Sequence, residues 1–219
     1  MDYKGYKEKY ENNIRCKIKI YQMDCNELLK QTPDKYYSLC IVDPPYRNQS
    51  ENQPTKDMRN NGSISNFGDK PDSLFFEELF RVSKNQIIWG ANNFSMPFKG
   101  FVVWKKTTIS DKFTMSMCEI ASLSEGIGTT SKHFELQPQD PYRIHPTQKP
   151  VALYKWLLQN YAKKGDKILD THLGSMSSVI ACYDEKFDIT GSELDPDYFK
   201  AGMERVKKHT SQVRLDDII

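Results

Sequence analysis

Cysteine is scarce and scattered: Cys16, Cys25, Cys40, Cys118 and Cys182 are odd in number and form no C-x-x-C pair. That pattern argues against a disulfide framework and a thiolate zinc site, so no metal is expected, and it suits thiols kept reduced in a cytoplasm. No apolar run approaches the roughly 20 residues of a membrane span. The longest candidates, such as Phe101 to Trp104, are strand-sized. The opening MDYKGYKEKYENN has charge but no apolar stretch and is not expected to act as a secretory signal. Neither sign of charge dominates: 31 Lys+Arg face 29 Asp+Glu, for a formal net charge of +2. This excludes a histone-like polycation and an acidic tail protein, so any contact with a polyanion must come from a local patch. Internal repeats and low-complexity tracts are absent. With 38% hydrophobic and 12% aromatic residues over 219 positions, the chain can bury an ordinary core, and 1–219 reads as one domain.

Short apolar runs with polar or Gly/Pro punctuation predict strands at 16–22, 37–42, 86–89, 101–104, 118–122, 167–169 and 188–190. Helical periodicity falls between them at 73–82, 151–162, 175–183 and 198–208, with Ser73 a plausible N-cap. Strands alternating with helices indicate an α/β fold built on a mainly parallel sheet. Two segments break the rhythm. Residues 47–72 are polar, rich in Asn, Ser, Gly and Pro, and read as a mobile functional loop; residues 124–144 form a second irregular stretch.

The run Tyr37 to Val42 ends abruptly at Asp43-Pro44-Pro45-Tyr46. Residues just past the carboxyl end of a parallel strand face the ligand crevice. Two prolines remove backbone donors and fix φ, leaving the Asp43 carboxylate and the Pro44 carbonyl as rigid acceptors. Beside the Tyr46 ring, such acceptors suit a planar base with an exocyclic amine. The bland alternative is a Pro-stiffened turn with Asp as a cap.

A second strand, Lys167 to Asp170, runs into Thr171-His172-Leu173-Gly174-Ser175-Met176-Ser177 and then an apolar helix. A strand, tight turn and helix N-terminus is the usual cradle of an adenosyl-type ligand, with Gly174 permitting close backbone approach. Asp170, His172, Ser175 and Ser177 are candidates in that turn. Met176 stands where a second glycine is expected; it would either crowd the loop, the favoured outcome, or pack on the ligand or core. The next strand ends in Glu193-Leu194-Asp195, where Glu193 would accept from ribose hydroxyls and Asp195 would help or cap the following helix. Asp24, followed by Cys25, ends another strand and could accept from an adenine amine. His145, Thr147 and Lys149 in His-Pro-Thr-Gln-Lys-Pro would latch a carboxylate at the amino-acid end of the ligand, unless the segment is only a helix entry.

Together these segments resemble the β-class of S-adenosylmethionine-dependent DNA amino-methyltransferases, specifically the small phage-type N6-adenine group. DPPY precedes the cofactor motif, the permuted order of that class, and HPTQKP, ILDTHLGSMSS and GSELDPDYF follow in sequence, with QIIWGANNF and FVVWKK between. The resemblance covers about residues 16–206. It implies a Rossmann-like, seven-stranded, mostly parallel sheet with helices on both faces and one antiparallel strand near 118–122. It also implies S-adenosylmethionine as cofactor, DNA as partner, and methylation of adenine N6 on a flipped base by Asp43, Pro44, Pro45 and Tyr46. Segment 124–144 would be a short recognition region; a longer site would need a homodimer. Phosphate contacts are expected from Lys4, Lys7, Lys9, Arg47, Lys56, Arg59, Lys105, Lys106, Lys112, Arg205, Lys207, Lys208 and Arg214. The alternatives are an N4-cytosine or RNA methyltransferase, and a DNA-binding module that has lost catalysis.

Overall fold

The structure, a computed structural model, describes residues 16–47, 69–94, 99–113, 115–138 and 143–212. Most of the loop expected at 47–72, together with Lys4, Lys7, Lys9, Lys56, Arg59 and Arg214, lies outside the described residues.

The elements in chain order are β1 (Ile18–Gln22), α1 (Cys25–Gln31), β2 (Tyr37–Val42), α2 (Ser73–Val82), β3 (Ser83–Trp89), β4 (Gly100–Lys105), β5 (Cys118–Leu123), β6 (Lys132–Glu135), α3 (Val151–Tyr161), β7 (Lys167–Asp170), α4 (Ser177–Glu185), β8 (Asp188–Glu193) and α5 (Pro196–Thr210). Among the described residues eight strands form one sheet in the order β1-β8-β7-β2-β3-β5-β4-β6. Only β5 runs against its neighbours, pairing antiparallel with both β3 and β4. The sheet therefore has one strand more than the seven expected. The addition is β6, which pairs parallel with β4 at Val102↔Lys132 through Lys105↔Glu135. Its sequence, KHFE, has a single apolar residue and three exposed ones, so no periodic signal marks it. Trp104 secures it by donating its indole N–H to the Leu136 carbonyl at 3.0 Å.

The period of two along the strands divides the core. Leu39, Ile41, Ile87, Trp89 and Ile168 point to the face covered by α3, α4 and α5. Cys40, Val42, Ile88 and Leu169 point to the other, covered by α1 and α2. Local signals set the helices: Asp72, one residue before the expected cap, accepts the Phe75 amide at 3.0 Å, and Asp195 caps α5 with Pro196 at its first position.

This winding creates the crevice. From β2 the chain passes to α2 on one face, and from neighbouring β7 it passes to α4 on the other. Adjacent parallel strands whose connections diverge leave an opening at their carboxyl ends. Glycine keeps it tight at one point: a Cβ on Gly191 of β8 would lie 2.6 Å from the Asp170 carbonyl oxygen and 2.6 Å from Leu173 Cδ2.

Candidate active site

A cleft of about 1000 Å³ opens along the carboxyl edge of β1, β8, β7 and β2. One end is built on the turn after β2. Tyr46 donates its hydroxyl to Asp43 Oδ1 at 2.6 Å, and the Lys149 ammonium pairs with Asp43 Oδ2. Pro44 and Pro45 line the same wall. The Tyr46 ring rests directly over Gly90, where a Cβ would come within 2.0 Å of ring carbon Cε1.

Lys149 is the hub. Its side chain is only 3% exposed, and Nζ also pairs with Glu119 Oε2 at 2.9 Å. Lys106 pairs with the other oxygen of Glu119 at 2.7 Å. The charges therefore alternate along Asp43–Lys149–Glu119–Lys106. Burial disfavours the Lys149 charge, but the Asp43 and Glu119 carboxylates outweigh it and hold the ammonium above its ordinary pKa. Burial likewise opposes the Glu119 charge, yet Lys149 and Lys106 bring its pKa down to about 2. The Lys149 ammonium also sits 5.2 Å above the Trp89 ring, a cation–π contact in a desolvated place. Sequence alone put Lys149 at the amino-acid end of a ligand; in the structure its ammonium pairs with Asp43 and Glu119. Asp43 keeps acceptor capacity, since each carboxylate oxygen offers about two lone-pair sites.

The other end of the cleft gathers the ligand candidates. Asp24 caps α1, accepting the Asn26 amide at 2.8 Å. Cys25 Sγ stands 4.0 Å from His172 Nε2, and burial pushes its thiol up to about 12, so it is inert as a nucleophile. His172 is fixed by Thr171 at 2.9 Å and by the Phe75 ring edge; burial lowers its pKa to about 4, so it is neutral. Glu193 accepts the Gly174 amide at 2.7 Å and the Asp195 amide at 3.0 Å. Burial raises its pKa against those two bonds. Leu194, Ser175, His145 and Thr147 also line the cleft. His145, pushed down to about 4 by burial, accepts the Thr147 amide at 3.3 Å.

Four candidates support the turn from outside the cleft lining. Asp170 is buried beneath it, accepting from Ser178 at 2.5 Å and from the His172 amide at 3.1 Å. Asp195 is spent on capping α5. Ser177 receives Arg205 Nη1 at 2.9 Å. Met176 adopts φ 59° and ψ 30° at the start of α4 and is fully buried. Its side chain lies on Gly202 of α5, where a Cβ would meet Met176 Cγ at 2.8 Å. Of the two outcomes open from sequence, core packing is the one observed, and loop crowding is not.

Glu119, Phe75 and Tyr198 are among the lining residues that escaped sequence reasoning. Glu119 could be sensed only as a charge in an otherwise apolar strand. Tyr198 sits one turn into α5, three residues after its capping Asp195, a spacing that returns a side chain to the helix entry. Of the basic residues expected at phosphates, Lys106 is committed to Glu119, and Arg205 to Ser175 and Ser177. Among the described residues no group of three or more His, Cys, Asp or Glu could hold a metal, and no helix is long and apolar enough to cross a membrane.

Residues 103–204 match the family model described as DNA methylase (N6/N4). YubD of Escherichia coli (strain K12), named as a methylase, is 24% identical over 211 residues, covering 86% of this chain and 89% of its own. The DNA adenine methyltransferase YhdJ of the same organism is 35% identical over 78 residues, 35% of this chain and 26% of its own length. Among solved structures, the PvuII cytosine-N4-specific DNA methyltransferase superposes with a TM-score of 0.61 at 14% identity, over 88% of this chain and 90% of that one.

Proposed function

We propose that the chain is a member of the N6/N4 family of S-adenosylmethionine-dependent DNA methyltransferases, whose model matches residues 103–204, and that it methylates the N6 amine of adenine in DNA. The observation that carries this reading is the Asp43–Lys149–Glu119 cluster beside the Tyr46 ring. An aryl amine is a poor nucleophile because its lone pair is conjugated with the ring. Asp43 and the Pro44 carbonyl would each accept one N–H, drawing the nitrogen toward tetrahedral geometry and releasing the lone pair. Lys149 holds Asp43 in a fixed position before the base arrives, which is preorganisation rather than proton chemistry. Tyr46, seated over Gly90 and bonded to Asp43, provides a platform for a base flipped out of the duplex.

The cleft fits the cofactor on its own chemistry. The buried Tyr198 hydroxyl has no hydrogen-bond partner among the described residues, and it stands where His145, Thr147 and Gly174 also line the wall. It would meet the amino-acid end, Glu193 the ribose, and Asp24 the adenine amine, with Phe75 and Leu194 alongside. S-adenosylmethionine, when bound, supplies an activated methyl group. The protein's task is then alignment and exclusion of water. The core position of Met176 supports an intact cofactor loop over a module that has lost catalysis.

Asp rather than Ser before Pro-Pro favours adenine over cytosine. With segment 124–144 so short, the site is short or relaxed, and a longer one calls for a homodimer. The test is direct: incubate the protein with duplex DNA and radiolabelled S-adenosylmethionine, then digest to nucleosides. Label in N6-methyladenine, lost in Asp43→Ala, supports the reading. Label in N4-methylcytosine or none in DNA refutes it.

A further inference from the structure

Tyr154 is a buried polar side chain that the chemistry described so far leaves unused. It belongs to the first turn of α3, which runs back against the strand it feeds, β7, so that turn lies at the carboxyl edge with the cleft. The residue is 6% exposed yet lines the cleft. The bonds that hold the site, from Tyr46 and Lys149 to Asp43 and from Ser178 to Asp170, pass it by. Among the described residues its hydroxyl takes part in no hydrogen bond. A buried Tyr hydroxyl normally has a partner, so the missing one belongs to what the cleft binds.

Its position follows from the sheet. Strands β7 and β2 are neighbours, paired at Leu39↔Ile168 and Cys40↔Leu169, and such strands lie about 4.8 Å apart. Asp170 ends β7 and Asp43 follows β2. The charges felt by the Tyr154 hydroxyl are, in order, those of Asp170, Asp43 and Lys149, so it stands at the gap between the cofactor turn and the Asp43 end. Burial, and after it the two carboxylates, raise the phenol well above its ordinary pKa. It is therefore a neutral hydroxyl. The carboxylates attract its rotatable proton, which leaves oxygen lone pairs for a cationic neighbour. With Glu193, Tyr198 and Gly174 on the cofactor side of this gap and the amine at Asp43 on the other, the sulfonium and its methyl belong between them.

We propose that the Tyr154 hydroxyl oxygen accepts from the C–H bonds of the sulfonium methyl and so holds that methyl in line with the target amine. This rests on the reading of the cleft as an S-adenosylmethionine site, and it is independent of which base is methylated. A methyl on positively charged sulfur has polarised C–H bonds that donate weakly to oxygen, a contact of small strength but defined direction. Direction is what alignment of the reacting atoms requires. The same oxygen also tells reactant from product, because S-adenosylhomocysteine has neither the methyl nor the positive charge.

The experiment measures binding, by calorimetric titration of the full chain with S-adenosylmethionine, S-adenosylhomocysteine and sinefungin, in which a carbon bearing an ammonium replaces the methyl sulfonium. Tyr154→Phe removes the hydroxyl and keeps the ring; Tyr154→Leu removes both. Since the hydroxyl is unpartnered in the free protein, Tyr154→Phe should not lower the urea midpoint. This variant should bind S-adenosylhomocysteine within about twofold of the unaltered protein and S-adenosylmethionine about two- to fivefold more weakly. Sinefungin, whose N–H is a full donor, should bind about tenfold or more weakly. Tyr154→Leu should show the same reduced preference for sinefungin over S-adenosylhomocysteine as Tyr154→Phe. Equal changes for all three compounds, no change for any, a preference lost only in Tyr154→Leu, or a lowered urea midpoint of Tyr154→Phe would overturn the role of Tyr154 while leaving the cofactor reading intact. Failure of the unaltered protein to bind any of the three overturns that reading, and the role of Tyr154 with it.

Discussion

Met176→Gly separates a residue that serves the core from one that serves the ligand. Met176 is fully buried with its thioether against the bare backbone of Gly202, and its φ of 59° lies in the left-handed region. Deleting a buried Met side chain from a core costs about 2–5 kcal/mol. Removing Cβ from a left-handed residue returns about 1–2 kcal/mol, and glycine's extra unfolded-state entropy takes back about 0.5–1 kcal/mol. The balance is a net loss of about 0.5–5 kcal/mol. Because the side chain points away from the cleft, the dissociation constant for S-adenosylmethionine should stay within about twofold, under 0.5 kcal/mol. Urea unfolding gives the first quantity, calorimetric titration the second. Unchanged stability together with several-fold tighter cofactor binding would refute the reasoning, because that pattern requires Met176 to press on the ligand.

Lys149→Met should leave the half-buried Asp43 without its cation and Glu119 with Lys106 alone, costing about 1–3 kcal/mol in denaturant unfolding and about 10²–10³ in methylation rate. Adding Glu119→Gln should restore part of the stability but not the rate, and strictly additive effects would show that the three groups do not form a unit. Gly90→Ala places a Cβ on the Tyr46 ring at a φ of 71°; the rate should fall about tenfold or more as the Tyr46–Asp43 bond breaks, and an unaltered rate would refute that seating. For pH, burial pushes Asp170 up to about 7 and His172 down to about 4. The raised carboxyl makes stability fall as pH rises from about 4 to 7, whereas the depressed imidazole makes it fall as pH drops from about 6.5 to 4. Asp170→Asn removes the opposing contribution, so urea midpoints between pH 4.5 and 6.5 should fall more steeply on acidification than in the unaltered protein. Parallel slopes would refute the assignment.

Much of this fold is legible because its strands are buried on both faces. Continuous runs such as Tyr37 to Val42 and Gln86 to Trp89 stand out against polar connections. The edge strand β6 does not, because one side lies open and its pairing with β4 depends on backbone bonds that carry no sequence signal. The direction of β5 followed from family resemblance, since an apolar run does not report its orientation. At the site, residues bound to a recognisable turn, such as Asp43, Gly174 and Glu193, could be named in advance. Lys149 was placed in the site by its motif, but its pairing with Asp43 and Glu119 was not foreseen, because these partners lie 106 and 30 residues away and meet only through the sheet order.

The reversed strand β5 has a consequence for how such a scaffold can diversify. A hairpin that opens toward the cleft can lengthen or shorten at its tip without disturbing the packing of Trp89, Trp104 or Ala121 beneath it. A connection between parallel strands can also grow, as residues 43–72 do between β2 and α2, but the helix it leads into must still seat a buried face on the sheet. The hairpin carries no such requirement, so insertions at its tip cost little stability and can alter the surface beside the cleft while the residues of the cleft stay as they are.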